Sequence, residues 1–274
     1  MKRLIIIAML FAGATGAFAQ STDTTKTVTD TAKTKKGFHI SFGKGEGASH
    51  LNLNNKDTTE YREHSKAPGF AWGITFTRFD LGLTTLVDNG SFKLSPQNDF
   101  LRYRSWKTSN VGFDVLQFSY RFNSTFKIYV SGGFDWTLIR LRDNITIQRD
   151  QSTLTYVQDN IDYSKNRFSS TYIRVPLSFD FRTHEDASGR RWHFVAGPDL
   201  GFLINGRVKQ ISDENGKQKM NGDYHFAKTR YGAFTRVGYG SMGIFAKYYF
   251  NDMFENSPAQ EGLKNFAFGI MVGF

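Results

Sequence analysis

The sequence predicts an all-β fold, an eight-stranded antiparallel up-and-down β-barrel that spans a membrane. Two observations predict it. Large apolar side chains recur at every second position along eight segments, which places them on one face of a strand. The connections between the segments are alternately short and long, as in membrane barrels with short periplasmic turns and long extracellular loops.

The predicted strands are long, and two of them carry a bulge. They cover residues 69–87, 101–122, 126–147, 167–183, 191–210, 226–239, 242–252 and 264–274. The apolar phase slips near Arg78 and again between Val115 and Leu116, and each slip predicts a β-bulge. Strands two to five are ~17–22 residues long where a tilted span needs roughly 9–11, so we expect them to project from the membrane as an extracellular sheet.

The last strand carries a candidate assembly signal. Its large apolar side chains are predicted to share one face that ends on an aromatic residue. They are Phe266, Phe268, Ile270, Val272 and Phe274. Such a strand is typical of outer-membrane barrels. We therefore expect it to be recognised by the barrel assembly machinery.

The remaining chain divides into two segments. The basic start, the apolar run over 4–12 and Ala17-Phe18-Ala19 predict a secretory signal peptide over 1–19. Residues 20–67 are predicted to be a flexible periplasmic segment with a short strand near 38–42, and 68–274 to form the barrel domain. The sequence has no Cys, which excludes a lipoprotein anchor and disulfides. We expect a cell outer membrane protein with both barrel termini in the periplasm.

Other fold classes fit less well. A soluble eight-stranded barrel with a ligand cavity, as in lipocalins, matches the strand number but not the apolar outer face of the terminal strand. No stretch after the predicted signal peptide approaches the roughly 18 apolar residues that a spanning helix requires. The formal net charge of +10 is compatible with nucleic-acid binding. For an exported chain we expect outer-membrane lipid, and no nucleic acid, as the partner.

The second side-chain phase of the strands predicts a charged lumen. Eight strands enclose a space only wide enough for side chains to fill. The charged residues that we expect there include Asp114, Asp135, Arg174, Asp180, Arg182, Asp199, Arg236 and Lys247. Because an unpaired buried charge is costly, these groups are expected to neutralise one another and to leave no open pore.

A second set of cations falls on the outer half of the predicted strands. They are Arg102, Arg104, Arg140, Arg142, Lys165, Arg167, Arg207 and Lys209. Arg and Lys bind phosphate oxygens through charge-assisted hydrogen bonds, so these residues are candidate contacts for lipopolysaccharide. A solvated rim explains them equally well.

The sequence predicts no enzyme, cofactor or metal site. His225, beside Asp223, is the only His on the predicted extracellular side of the barrel, and no Ser is spaced to complete a catalytic set with it. No pair of His has the spacing of metal ligands.

Several segments resemble the Bacteroidetes outer-membrane β-barrel family. They are Phe70-Ala-Trp-Gly-Ile with Phe79-Asp-Leu-Gly-Leu, Ser105-Trp106 with Gly112–Tyr120, Tyr172-Ile-Arg-Val-Pro-Leu177, Ala196-Gly197 with Gly201, and Arg230–Gly240. The resemblance implies an eight-stranded barrel in a Gram-negative outer membrane. One relative in this family is the barrel component of the type IX secretion system, and the family supplies no catalytic residues.

Together these observations predict an integral outer-membrane barrel with a structural, adhesion or protein-docking role. Unpaired strand edges outside the membrane are expected to capture another chain by strand addition. Two alternatives stay open. One is an accessory barrel subunit of a protein secretion system, and the other is a narrow solute channel.

Overall fold

The computed structural model describes residues 39–41, 68–75 and 78–274 of the chain. The predicted signal peptide, and the 20–67 segment apart from 39–41, lie outside the described residues. The described strands are β1 (His39–Ser41), β2 (Gly69–Thr75), β3 (Phe79–Asp88), β4 (Ser109–Arg121), β5 (Phe126–Arg140), β6 (Ile145–Ile147), β7 (Tyr156–Gln158), β8 (Lys165–Arg182), β9 (Trp192–Ser212), β10 (Gly216–Gly222), β11 (Thr229–Tyr239), β12 (Met242–Tyr249) and β13 (Leu263–Val272).

The fold is all-β and almost entirely antiparallel. β3, β4, β5, β8, β9, β11, β12 and β13 pair successively in this order, and β13 also pairs with β3. β2 precedes β3 in the chain and pairs with residues 116–121 of β4. β1 pairs with β2 in parallel. The register of β4 against β5 shifts between Asp114 and Leu116, which confirms the predicted bulge in that strand.

The two ends of the sheet differ in their connections. Short turns at 122–125, 183–191 and 240–241 lie at one end, here called the short-turn end. The connections at 89–108, 141–164, 213–228 and 250–262 lie at the other, here called the long-loop end. At the short-turn end the Asn123 side chain accepts hydrogen bonds from the backbone of Thr125 and Phe126, which fixes that turn.

Three predictions about the long-loop end are wrong. β4 begins at Ser109 rather than 101, because 3₁₀ turns at Pro96–Leu101 and Ser105–Lys107 precede it. β5 ends at Arg140, and the short strands β6 and β7 then pair with each other in a separate sheet. The predicted loop 211–225 contains β10, which folds back on β9 after Asn215-Gly216. Gly216 has a φ of +60°, the left-handed conformation that closes such a hairpin.

The inner face of the sheet is filled by two apolar layers with charged side chains between them, and by buried Asp180, Arg182 and His193 at the short-turn end. The apolar layer toward the short-turn end is formed by Tyr129, Val195, Phe234, Phe245, Ala267, Met271 and Phe274. A layer of charged side chains follows. Nearest the long-loop end, a larger apolar layer is formed by Leu86, Leu101, Ile139, Leu141, Ile145, Ile147, Leu154, Phe168, Val208, Tyr224, Phe226, Met253, Phe254 and Leu263.

Phe274 does not share the face of Phe266, Phe268, Ile270 and Val272, and that part of the prediction is wrong. Its side chain is buried in the inner apolar layer and stacks on the His193 ring at a centroid distance of 4.4 Å. The strand ends at Val272, and Gly273 takes a φ of +89°, so the alternation of side chains stops one residue early. The aromatic terminus therefore closes the short-turn end from the inside.

We expect Gly238→Ala to destabilise the protein by about 1–3 kcal/mol, since an added Cβ would collide with the Phe274 ring and with the backbone of the paired strand. The measurement is urea unfolding in detergent, followed by gel mobility without boiling. Gly132→Ala is the matched control, because a Cβ there meets only Leu116 Cβ at 4.0 Å. An equal loss in both variants would contradict this account of Phe274.

Candidate functional site

The charged layer is organised around Arg174 on β8. Its guanidinium Nε lies 2.8 Å from Asp114 Oδ1, and Nη1 lies 2.7 Å from Asp80 Oδ2. The same Nη1 is 3.8 Å from Asp135 Oδ2. These three carboxylates belong to three adjacent strands, so one side chain reaches across the enclosed space and connects β8 to β3, β4 and β5.

Further cations complete the network. Lys247 Nζ lies 2.9 Å from Asp80 Oδ2 and 3.0 Å from Asp135 Oδ2. Arg236 Nη2 is 3.0 Å from the same Asp80 oxygen, and Arg230 Nη2 is 2.7 Å from Asp135 Oδ1. Every one of these side chains is buried. Each charge has an opposite charge in contact, which is the condition under which buried ions are tolerated.

The structure separates the predicted lumen residues into two groups. Asp135, Arg174, Arg236 and Lys247 belong to the network, and Asp199 accepts a hydrogen bond from the Tyr249 hydroxyl at 3.1 Å. Asp180 and Arg182 lie apart from it, toward the short-turn end. There Asp180 Oδ2 is 3.7 Å from Arg182 Nε, and its Oδ1 is 3.2 Å from His193 Nδ1.

Three members of the network were missed by the sequence reasoning: Asp80, Arg230 and the buried Arg78, whose Nη1 lies 3.4 Å from Asp114 Oδ2. Asp80 lies between Phe79 and Leu81, and Arg230 precedes Tyr231; all three of these apolar neighbours are exposed. The period-two pattern alone therefore places Asp80 and Arg230 on the inner face. A count of every charged residue in the inner phase would have identified both.

The enclosed space is packed rather than open. Beside the network, the cavity bordered by Tyr172, Arg230 and Tyr249 has a volume of about 20 Å³, enough for about one water molecule. The Arg230 guanidinium fills the gap between the two rings, with its carbon 3.9 Å and 4.2 Å from their centroids. One apolar layer lies on the long-loop side of the network and the other on its short-turn side.

The outer face shows the opposite chemistry. Large apolar side chains are exposed on every strand of the main pairing cycle, and Leu81, Phe202 and Ile270 are each about half exposed. On β9 the outward side chains are mostly apolar from Trp192 to Ile204. At ~3.3 Å per residue and a tilt of ~40°, this stretch spans roughly 30 Å of height, the thickness of a bilayer hydrocarbon core.

A β-sheet with charged side chains on its inner face and apolar side chains on its outer face is typical of a barrel whose outer face contacts lipid. The outer membrane protein beta-barrel domain family matches residues 18–255. The chain belongs to this family. It is therefore an integral outer-membrane barrel protein. No curated protein matches the chain. In the described part of the chain, no helix is long and apolar enough to cross a membrane.

The predicted rim cations fall into two groups. Arg102 is paired, with Asp143 at 3.2 Å and Asp99 at 3.5 Å. The others form no ion pair with any described residue. They are Arg104, Arg140, Arg142, Lys165, Arg167, Arg207 and Lys209. Three of these donate to neutral oxygens: Arg142 to the Tyr103 carbonyl, Arg140 to the Ser164 carbonyl and Arg207 to Asn221 Oδ1.

His225 is held by the backbone and not by a catalytic set. Its Nε2 lies 2.9 Å from the Gln151 carbonyl oxygen. Its own backbone N–H donates to Asp223 Oδ1 at 3.4 Å. Among the described residues no group of three His, Asp or Glu side chains is placed to hold a metal ion.

We expect Arg174→Met to cost about 3–5 kcal/mol, because it leaves Asp80 and Asp114 buried with fewer counter-charges. Urea unfolding in detergent measures the loss. Arg102→Met is the control, since its half-exposed pairs are worth about 0–1 kcal/mol.

The double variant Arg174→Met with Asp114→Asn should lose less than the sum of the two single changes, since it removes both members of one contact. Additive losses would mean that Arg174 acts by filling space and not by its charge.

Proposed function

We propose that this protein is a sealed eight-stranded outer-membrane barrel that anchors a projecting sheet for protein docking. The filled inner face carries the first half of this proposal. A charge network lies between two apolar layers, and the cavity beside it holds about one water molecule. Such an interior has no room for a solute path, so it does not favour the alternative of a narrow channel.

The long-loop end faces the outside of the cell in this proposal, and both ends of the barrel chain face the periplasm. The support is the contrast between the two ends. Barrels of the outer membrane carry short turns on the periplasmic side and longer loops outside. The apolar layer under the long loops gives this end a core of its own, so the connections form an ordered surface.

Purified protein in planar lipid bilayers is expected to give no steady conductance, because ions would have to displace paired side chains and cross two apolar layers. Insertion is verified independently by the change in gel mobility on boiling. Discrete, long-lived current steps from inserted protein would overturn the sealed barrel and restore the channel alternative.

The free strand edge on the projecting sheet is on β10. This strand pairs only with β9 among the described strands. Its residues from Gly216 to Lys219 are exposed, so its outer edge offers backbone N–H and C=O groups to an extended segment of another chain. β5 pairs with β4 as far as Leu138 and with β8 as far as Arg140, so both of its edges are occupied.

A photocrosslinking residue at Gln218 on β10 should yield adducts with a partner protein in intact cells. The same residue at Lys93, which is exposed in a different long connection, should not. The adduct should disappear when Lys217→Pro and Lys219→Pro are added, since proline removes the N–H groups that an added strand would use. An adduct that survives both prolines, or equal adducts from both sites, would contradict strand addition.

No described contact favours the accessory role in a secretion system, or the narrower relation to the Bacteroidetes family and its type IX component. Those remain predictions from the sequence.

A further inference from the structure

A row of cations crosses four neighbouring strands near the long-loop end. Arg140 of β5 lies directly opposite Arg167 of β8, which lies opposite Lys209 of β9, which lies opposite Lys219 of β10. Neighbouring strands are ~4.8 Å apart, so the row is roughly 14 Å long. We call these four residues the cation row.

The cation row lies on the lipid-facing side of the sheet. The neighbours Ile139, Phe168 and Val208 are completely buried on the inner face. Side chains alternate along a strand, so Arg140, Arg167 and Lys209 point outward. The row therefore continues the same face that carries the exposed apolar belt.

The row stands close to the edge of that belt. Arg140 follows the outward Leu138 by two residues, and Arg207, next to the row, follows the exposed Ile204 by three. At ~3.3 Å per residue and a tilt of ~40°, these steps correspond to roughly 5–8 Å of height. The headgroup layer on each side of a bilayer occupies about this distance beyond the hydrocarbon core.

Among the described residues, none supplies a counter-charge to the row. None of its four side chains forms an ion pair with a described residue, and like charges directly opposite one another destabilise a sheet. Lys165, one step above, has a lowered pKa because of burial and because Arg167, Arg140 and Lys217 surround it. The pKa of Arg140 is lowered by burial and by Arg104 and Arg167. Electrostatic repulsion among these cations therefore destabilises their charged forms.

We propose that the cation row binds the phosphate groups of lipopolysaccharide in the outer leaflet. The lipid source follows from position, since the row continues the lipid-contacting face at headgroup height. A molecule with several phosphates on an acyl-chain anchor matches both parts of this surface. This inference rests on the proposed orientation of the long-loop end. The row lies on the sheet face, whereas the docking edge uses the backbone of β10.

The test compares two triple variants that remove equal charge. Arg140→Gln, Arg167→Gln and Lys209→Gln remove three of the four cations of the row and leave Lys219, while Arg102→Gln, Arg142→Gln and Arg149→Gln remove three cations of the same end outside it. Binding of purified lipopolysaccharide to the full chain in neutral detergent is measured by titration. The row variant should bind roughly 100-fold more weakly, at about fivefold for each of the three cations removed, and the control should stay within about threefold.

Three further arms identify the ligand and the fold. Enzymatically dephosphorylated lipopolysaccharide should bind the unaltered protein weakly, and millimolar inorganic phosphate should not displace the intact lipid. Lipopolysaccharide should raise the urea midpoint of the unaltered protein but not of the row variant. Without lipid, the row variant should be at least as stable as the unaltered protein, since repulsion has been removed.

Equal losses in both triple variants, full binding of the dephosphorylated lipid, or displacement by inorganic phosphate would each overturn the proposal. Row-dependent binding of a polyglutamate peptide without binding of lipopolysaccharide would assign the surface to an acidic protein instead.

The orientation of the long-loop end in the membrane is tested separately. The chain has no Cys, so Gln218→Cys should react with an impermeant maleimide on intact cells and Ala187→Cys should not. Reversed labelling with intact binding in detergent would refute the orientation and not the site.

Discussion

The contact of the Arg174 guanidinium with carboxylates from three adjacent strands is the constraint on which the inner face depends. The outer face contacts hydrocarbon, so a charged side chain can be stable only inside, and inside it needs a partner. Arg174 contacts Asp80 and Asp114 directly and lies 3.8 Å from Asp135, which ties its own strand to three others across the enclosed space. The strands cannot slip in register without separating these charges, because a one-residue shift would turn every one of them toward lipid.

The two apolar layers make this network stronger. They restrict water at both ends, and in a region with little water an ion pair is screened less and an unpaired ion costs more. Phe274 completes the apolar layer toward the short-turn end because Gly273 turns it inward. Gly238 and Gly243, which have no side chains, leave the space that its ring occupies. In the proposed function the interior therefore has a structural role, and the outer face and the long-loop end carry the interactions with other molecules.

The sequence predicted the strands well wherever lipid on one side and buried charge on the other enforce a period of two. It located β8 and β9 to within two residues and found the bulge beside Asp114. It failed where that constraint ends. At the long-loop end the chain packs as in a soluble core, so Leu101 enters a 3₁₀ turn and Ile145 a separate sheet. The sequence also could not predict which rim cations form ion pairs. Arg102 lies beside Asp143 and Arg140 lies opposite Arg167 because of how the chain pairs and packs, which residue type alone does not determine.

Charged side chains therefore have different surroundings in the interior and on the outer face. In the interior, the cations of the network contact carboxylates at fixed positions, so their charges are paired within the protein. On the outer face, Arg140, Arg167 and Lys209 stand side by side, two to three residues beyond the apolar belt, and no described residue forms an ion pair with them. Repulsion in that row decreases only when anions from the surroundings approach it. If these anions are lipid phosphates, the stability of the projecting sheet depends on the composition of the leaflet, whereas the stability of the sealed interior does not.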